Sequence, residues 1–183
     1  MIGWIIAGIV VVLVLVYVFT TYNTLVRLRN LVEEAFSTMD VYLKKRWDLI
    51  PNLVSVVKGY AKHEKEALTE IVNLRNKAYD NMSTDEKIAA NSQLTQNITK
   101  LMALSEAYPD LKASENFKGL SSELSSTEKD IANSRKYYNG AVRNLNDKVE
   151  MFPSNIIANM FGFKKYKMFD INVSERENVK VEF

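Results

Sequence analysis

The stretch that decides the fold is 38-TMDVYLKKRWDLIPNLVSVVKGYAKHE-64. Apolar side chains recur in steps of three and four through it and upstream of it, at Leu25, Leu28, Val32, Phe36, Met39, Leu43, Trp47, Ile50, Leu53 or Val54, Val57, and Tyr60 or Ala61. Such steps place side chains along one face of an α-helix. The pattern therefore predicts a long amphipathic helix that packs against a core.

Pro51 lies in the middle of this apolar face. It has no N–H to donate to the carbonyl of Trp47, and its ring crowds that carbonyl. The apolar spacing nevertheless holds on both sides of it. We therefore expect a helix that bends near Asp48–Pro51, or restarts there with Asp48 as its cap, while staying on the same core.

Polar residues are concentrated in the same stretch, at Asp40, Lys44, Lys45, Arg46, Asp48, Asn52 and Lys58. One interpretation is a solvated helix face with i,i+4 ion pairs such as that of Asp40 with Lys44. The other is an interaction patch that docks a partner or fixes the register of packing. The spacing leaves both interpretations open.

Composition limits the class of protein. A chain of 183 residues with one hydrophobic anchor has room for one further domain of ordinary size. The formal net charge is +2 and basic residues are interleaved with acidic ones, which argues against nucleic acid as a partner. The chain has no cysteine, which excludes disulfides, thiolate catalysis and zinc–thiolate sites. Its few glycines and prolines favour helices joined by short turns.

The first segment, 1–21, predicts a retained transmembrane anchor. The run from Ile2 to Phe19 has no charged residue and is about long enough to cross a ~30 Å hydrocarbon core. A cleaved signal peptide is disfavoured, because no Lys or Arg precedes the run and no small-residue cleavage pattern follows it. The candidate membrane-anchor residues are Ile2, Trp4, Ile5, Ile6, Ile9, Val10, Val11, Val12, Leu13, Val14, Leu15, Val16, Tyr17, Val18 and Phe19.

The orientation follows from the basic residues. Arg27, Arg29 and the 44–46 cluster come after the apolar run, whereas only the α-amino group precedes it. The positive-inside rule then places the N-terminus outside and the C-terminal bundle in the cytoplasm. We expect a single-pass protein of the cell membrane.

The second segment, 22–155, predicts the bundle. Helical patterns run from about residue 22 to the Pro51 bend, from 52 to about 79, from 84 to 107, and from 110 or 114 to about 151. Ser83 followed by Glu86 forms a capping box, and Tyr108-Pro109 ends the preceding helix. The fold class is all-α: an N-terminal transmembrane helix continues into an up-and-down antiparallel bundle of three or four long helices.

The third segment, 156–183, is an aromatic and basic tail. We expect a short helix around Gly162, with an extended or disordered end from 170 to 183. Phe161, Phe163 and Tyr166 either cover the open end of the bundle or belong to a second membrane contact. That candidate contact comprises Phe161, Phe163, Lys164, Lys165, Tyr166 and Lys167, with the lysines facing anionic head groups.

These motifs resemble a known family. The segment from Asp40 to Glu64 resembles the signature of the LemA family of bacterial membrane-anchored helical proteins. YPDLKASENFKGLSSELSSTEKDIANSRKYYNGAVRNLN at 108–146 and FPSNIIANMFGF at 152–163 resemble the family's second and third signatures. The resemblance implies an N-terminally anchored helical bundle whose biochemical role is poorly defined. It also implies kinship with proteins that help shape bacterial internal membranes.

Catalytic patterns are weak. His63-Glu64 would need a second histidine at position 67 to form a zinc-peptidase helix, but Ala67 stands there and the chain has one histidine. A serine triad lacks a second candidate base, although a Ser–Lys pair stays formally open. A di-metal carboxylate bundle would need one histidine from each of two helices, and the chain has a single histidine. We therefore expect no enzyme, no catalytic or metal residues and no cofactor.

Binding functions remain. The leading hypothesis is a membrane-anchored scaffold that self-associates through its bundle and organises or bends the bilayer. The alternative is a monomeric adaptor that presents the Asp40–Lys58 patch to a membrane protease or signalling partner, and an enzyme of unfamiliar type is the remote alternative. The expected partners are the lipid bilayer, further copies of the chain and, in the alternative, another membrane protein. No nucleic acid or small-molecule substrate is expected.

Overall fold

The computed structural model describes residues 1–61 and 79–169. They form helix α1 (Ile2–Tyr60), a 3-10 turn (Tyr79–Asn81), α2 (Thr84–Glu106), α3 (Pro109–Ala113), α4 (Glu115–Glu150) and α5 (Ser154–Met160). The fold is an all-α bundle with a long apolar helix at its N-terminus, as the sequence predicts. The described residues divide into a first unit, 1–38 with 135–168, and a second unit, 39–61 and 79–134 with 169.

Helix α1 corrects the expectation of a restart at Pro51. The helix is continuous from Ile2 to Tyr60 with Pro51 inside it. Asp48 is not a cap, because it lies within the helix and its carboxylate is 3.6 Å from the ammonium of Lys44, one turn earlier. Apolar side chains on both sides of the proline are buried, among them Ile50 and Leu53. Their packing compensates for the hydrogen bond that proline cannot make. A bend there stays a prediction.

The second unit has an apolar core drawn from all its described helices. The buried apolar residues of α1 in this unit occur at predicted positions except Leu49, which the spacing did not include. The rings of Trp47 and Tyr79 pack in a tilted arrangement with centroids 5.3 Å apart. Helix α2 begins with the predicted capping box, in which Ser83 and Glu86 exchange side-chain-to-backbone hydrogen bonds. It ends at Glu106, and Pro109 then occupies the first position of α3. The long helix α4 starts at Glu115, one residue after the later of the two predicted start points.

The first unit packs the early part of α1, the later part of α4, and α5. Leu25, Val32 and Ala35 are buried there together with Val142 and Leu145. Phe36 meets Tyr138 edge-on at 5.7 Å between ring centroids. The hydroxyl of Tyr138, whose side chain is buried, donates a hydrogen bond to the carbonyl of Lys167 at 2.9 Å. The segment after α5 is therefore attached to α4.

The short C-terminal helix differs from its prediction. It covers Ser154–Met160 and ends before Gly162, which adopts φ +74°. The amide of Phe163 donates to the carbonyl of Ala158 at 2.9 Å, the backbone bond that closes a helix through a left-handed residue. Glycine takes this conformation without steric cost, so Gly162 terminates the helix instead of lying within it.

Some predictions fall outside the described residues. These are the helical pattern from 62 to 78, including His63, and the extended or disordered end from 170 to 183. The proposed segment boundaries at 21/22 and 155/156 also stay predictions.

Candidate membrane interface and buried polar cluster

The N-terminal part of α1 is long and apolar enough to cross a membrane. None of its most apolar window is buried against the rest of the described structure, unlike the core helix of a soluble protein. The predicted anchor residues up to Tyr17, together with Phe19, are exposed, and Val18 is partly so. The surface of this segment therefore consists of aliphatic side chains around the whole helix circumference.

The turn after the apolar run changes in character. Thr20 and Thr24 donate their hydroxyls to carbonyls within the helix, at 2.9 Å to Val16 and 2.8 Å to Thr20 respectively. Thr21 is buried. These threonines line an open cavity of the first unit, together with Tyr17, Lys148, Met151, Phe152, Pro153 and Ser154. The α4–α5 connection thus lies beside the end of the apolar run.

Exposed apolar side chains surround that connection. Phe152 is 80% exposed, Met151 and Met160 are each 61% exposed, and Ile156 is 55% exposed. Ile156 and Met160 share one face of α5 because they are four residues apart, while Ile157 and Ala158 pack inward. We call Met151, Phe152, Ile156 and Met160 the apolar corner. Sequence analysis did not single out these residues.

The predicted second membrane contact is split by the fold. Tyr22 of α1 packs on Phe161 and Phe163, with ring centroids 4.8 and 5.9 Å apart, and the guanidinium of Arg29 lies 5.8 Å from the centroid of Phe163. The side-chain amide of Asn146 donates to the backbone carbonyl of Tyr166 at 3.0 Å and accepts from the backbone N–H of Tyr166 at 2.9 Å. Burial, and next the charge of Glu33, raise the pKa of the Tyr166 phenol. The aromatic residues are therefore packing elements as well as surface.

The lysines of that segment remain on the surface. Lys164, Lys165 and Lys167 are exposed, and Lys165 pairs with Glu150 at the end of α4. Their placement leaves their contact with lipid a prediction.

Arg46 forms the centre of a buried polar cluster in the second unit. Its side chain is 2% exposed. One terminal nitrogen donates to both carboxylate oxygens of Glu128, at 2.8 and 3.0 Å, and to Thr95 at 3.1 Å. The other nitrogen donates to Asn91, at 2.8 Å to the side-chain oxygen and 3.0 Å to the carbonyl. The guanidinium therefore ties α1 to α2 and α4 through charge-assisted bonds.

Asp40 anchors a second set of contacts in the same unit. Its carboxylate accepts hydrogen bonds from the Tyr79 hydroxyl at 2.7 Å and from the Lys87 ammonium at 2.6 Å. The ammonium also lies 4.9 Å from the centroid of the Tyr79 ring. Burial, and next the hydrogen bond to Asp40, raise the pKa of Tyr79 far above its usual value of 10.0. Lys87 is therefore the ion-pair partner of Asp40, whereas the sequence spacing suggested Lys44 for that role.

The other patch residues lie at the surface. Lys44 is near both Asp48 and Asp80, at 3.6 Å each, and Lys45 is 3.3 Å from Glu123. Asp48, Asn52 and Lys58 are exposed. The predicted interaction patch is therefore divided between a buried half that joins helices and a solvated half. Whether either half binds a partner stays a prediction.

Sequence reasoning missed the partners of Arg46. One signal was available: Asn91 lies between Ile88 and Leu94, on the face of α2 that the apolar spacing turns toward the core. A polar residue at such a position needs a buried partner. Thr127, next to Glu128, gives a similar signal because it lies between Leu124 and Ile131 at helical spacing, and the structure buries it fully.

Metal chemistry finds no support in the part of the chain that the structure describes. Within residues 1–61 and 79–169, no three His, Cys, Asp or Glu side chains come close enough to hold a metal ion. The terminal nitrogens of Arg46 donate hydrogen bonds to α2 and α4, whereas its Nε is buried without a hydrogen-bond partner among the described residues.

Comparison with known proteins identifies relatives. The model of the LemA family matches residues 35–183. The chain is 28% identical to Protein LemA of Metamycoplasma hominis, over 86% of this chain and 72% of that protein. It is 23% identical to the magnetosome proteins MamQ 1 and MamQ 2 of Paramagnetospirillum magneticum, over 81% of this chain and 64% of each of them.

Proposed function

The chain belongs to the LemA family, and on that premise we propose that it is a non-enzymatic, membrane-anchored scaffold that self-associates and organises or remodels the bilayer. The observation that carries the proposal is the exposure of the whole apolar run on a helix whose later residues form the core of the bundle. An apolar helix surface of this length is costly in water and favourable in lipid. The two relatives named as magnetosome proteins add support for a role in organising a cellular structure.

The proposed orientation follows the distribution of positive charge. Arg27 and Arg29 are exposed on the first turns after the apolar run. Basic residues next to a membrane span favour the cytoplasmic side. We therefore propose a single pass through the cell membrane, with the N-terminus outside and the bundle in the cytoplasm.

A non-enzymatic role fits the chemistry of the described residues. The buried Arg46 and the half-buried Asp40 have partners that join helices. Catalytic groups instead cluster in a cleft with perturbed pKa values and room for a substrate. The raised pKa of Tyr79 has a structural cause in its packing against Trp47 and its bond to Asp40.

The first test measures assembly. Full-length protein, extracted gently from membranes, is examined by native mass measurement and particle imaging. A discrete multimer with its membrane spans gathered on one side would support the scaffold. A single 21.0 kDa chain would overturn self-association.

The second test measures sidedness. The chain has no cysteine, so one introduced thiol reports on one position. Gln93→Cys is suitable because Gln93 is exposed on α2 and, unlike Ser83, caps no helix. An impermeant maleimide added to intact cells should leave it unlabelled, and permeabilised cells provide the positive control. Labelling in intact cells would overturn the cytoplasmic placement.

The adaptor is the second candidate. Its support is a row of exposed residues on α1, Asp48, Asn52 and Ser55, which share a face because they are three and four positions apart, with Lys58 next in the row. Lys58→Glu and Asp48→Lys test it without disturbing the buried cluster. Loss of a crosslinked membrane-protein partner, with assembly unchanged, would favour the adaptor over the scaffold.

A further inference from the structure

We propose that the apolar corner inserts into the head-group region of the bilayer beside the membrane span, so that the first unit contacts the membrane at two places. The inference rests on the proposed membrane anchor and adds a second contact to it. It centres the second contact on Met151, Phe152, Ile156 and Met160, with the lysine-rich segment that follows Gly162 beside it.

The first argument is exposure. The four side chains are between 55% and 80% exposed on a unit that buries its neighbouring residues Ile157 and Ala158 almost completely. Soluble proteins seldom leave a contiguous group of large apolar side chains in water unless another surface covers it. The corner therefore needs an apolar environment that the described residues do not supply.

The second argument is the depth of the apolar corner relative to the membrane span. Met151, Phe152 and Pro153 line the same cavity as Tyr17, Thr20 and Thr24. Tyr17 belongs to the last turns of the apolar run, whose span of about 27 Å at 1.5 Å per residue nearly matches the hydrocarbon core. Residues beside Tyr17 and Thr20 are therefore at the boundary between acyl chains and head groups.

The third argument is the chemistry around the corner. Tyr22, Phe161 and Phe163 form an aromatic group on α1 and the segment after α5. Lys148 lines the cavity, and Lys164 is exposed beyond the aromatic group. Aromatic rings are enriched at the interface, and lysines extend toward anionic head groups. Apolar residues flanked by both are typical of a segment that lies in the interface.

The test places a nitroxide on single cysteines in the full-length protein, reconstituted in bilayers of phosphatidylcholine with phosphatidylglycerol. The positions are Phe152→Cys and Met160→Cys, with Tyr137→Cys as the control because Tyr137 is an exposed aromatic residue of α4 in the same unit. Accessibility to oxygen, which concentrates in lipid, is compared with accessibility to a water-soluble nickel chelate. Circular dichroism checks that each variant keeps the parent helicity.

We expect labels at 152 and 160 to be several-fold more accessible to oxygen, relative to the nickel chelate, than the label at 137. Equal nickel accessibility at the three positions would overturn the inference. Protection from both reagents, with spin–spin broadening between labels, would also overturn it, because the corner would then be covered by a second copy of the chain.

Val11→Cys separates this inference from the proposed anchor. If the label at 11 is shielded from nickel while that at 152 is not, the span is in the bilayer and only the second contact fails. If nickel reaches both positions, the anchor itself fails.

Discussion

The first unit exposes large apolar side chains to the surroundings, whereas the second unit buries a charged one. Phe152 at the apolar corner is 80% exposed, and the side chain of Arg46 is 2% exposed. The exposed apolar group has no covering surface among the described residues, while the buried charge has a partner on each of its terminal nitrogens.

The difference separates two kinds of constraint. A buried charge must be satisfied from within the fold, so Arg46 restricts how α1, α2 and α4 can pack. An exposed apolar group restricts the surroundings instead, because it lowers its free energy only on contact with lipid or with another protein. The buried charge of the second unit therefore restricts how its own helices pack. The exposed apolar side chains of the first unit restrict which environment, lipid or another protein, can cover them.

The largest expected effect comes from removing the counter-charge of the buried cluster. Glu128→Gln keeps the side-chain shape but leaves the guanidinium of Arg46 without an anion. We expect the free energy of unfolding to fall by about 3 kcal/mol, the lower end of the cost when a buried pair loses one partner, because the Arg46 side chain is 2% exposed but that of Glu128 is 37% exposed. Urea unfolding of the full chain in detergent micelles, followed by far-UV circular dichroism, measures it.

The matched control for that prediction is Lys45→Gln. Lys45 pairs with Glu123, but both side chains are 47% exposed, so its loss should cost less than about 1 kcal/mol. The double variant Arg46→Met/Glu128→Leu should recover most of the stability, because neither charge is then buried alone. Equal costs for Glu128→Gln and Lys45→Gln would remove the distinction between buried and surface charges.

The next effect belongs to the first unit. Asn146→Ala removes two hydrogen bonds that attach Tyr166 to α4. We expect a loss of about 2 kcal/mol for this segment, which corresponds to roughly 30-fold faster exchange of the Tyr166 amide, since each 1.4 kcal/mol is a factor of ten. Hydrogen exchange with mass spectrometry measures it. The exposed neighbour Asn144 provides the control variant, Asn144→Ala, and faster exchange in that variant too would contradict the assignment.

A smaller effect tests the buried phenol by pH. The pKa of Tyr79 is raised by folding, so the folded state holds this proton more tightly than the unfolded state. The resulting stability is fully present below the unfolded value of 10.0 and declines as the pH rises above it. Tyr79→Phe should cost about 1 kcal/mol at neutral pH through the lost bond to Asp40.

The same variant should lose stability less steeply than the parent above pH 10.0. Thermal unfolding in micelles, from neutral pH to the highest pH at which the micelles are stable, measures both the cost at neutral pH and the steepness of the loss at alkaline pH. Tyr137→Phe, at an exposed position of α4, should follow the parent. If the stability of Tyr79→Phe falls with pH as steeply as that of the parent, the Tyr79 phenol does not contribute to the pH dependence of stability.

The smallest effect concerns the apolar corner. Ile156→Ala should change the free energy of unfolding in micelles by less than about 0.5 kcal/mol, because the side chain is 55% exposed. Its neighbour Ile157 is 6% exposed, so Ile157→Ala should cost about 2–4 kcal/mol. The same unfolding experiment compares the two. A large cost for Ile156→Ala would mean that this residue packs within the fold, and the contrast between the units would weaken.

Local patterns in the sequence predict most of the helices. The three-and-four spacing from Leu25 to Ala61 and the capping box at Ser83 depend on residues close together in the chain, so they can be recognised without a structure. The burial of Arg46 could not be predicted in this way. Its partners are 45 to 82 positions away, and an arginine on an amphipathic helix resembles a solvated one until those partners are placed.

The sequence left open whether the helix bends or restarts at Pro51, and it did not indicate the apolar corner, because both depend on tertiary packing. Pro51 breaks a helix in isolation, but burial of Ile50 and Leu53 outweighs the local cost. Ile156 and Met160 resemble core residues in composition, and the direction in which they point depends on how α5 lies against α1. The sequence shows the concentration of polar residues from Asp40 to Lys58, but its division into buried and exposed halves required tertiary contacts, and its role as an interaction patch stays a prediction.

Tyr22 packs on Phe161 and Phe163, and this has a consequence for handling the protein. Truncation downstream of Tyr22, meant to yield a water-soluble fragment, would uncover both rings while leaving Phe152 and Met160 in place. Such a fragment would expose a larger apolar surface to aqueous buffer, and this surface would promote association. Dimers or aggregates found with it would report on that uncovered surface and not on the assembly of the intact protein, so stoichiometry is best measured on the full-length chain in lipid.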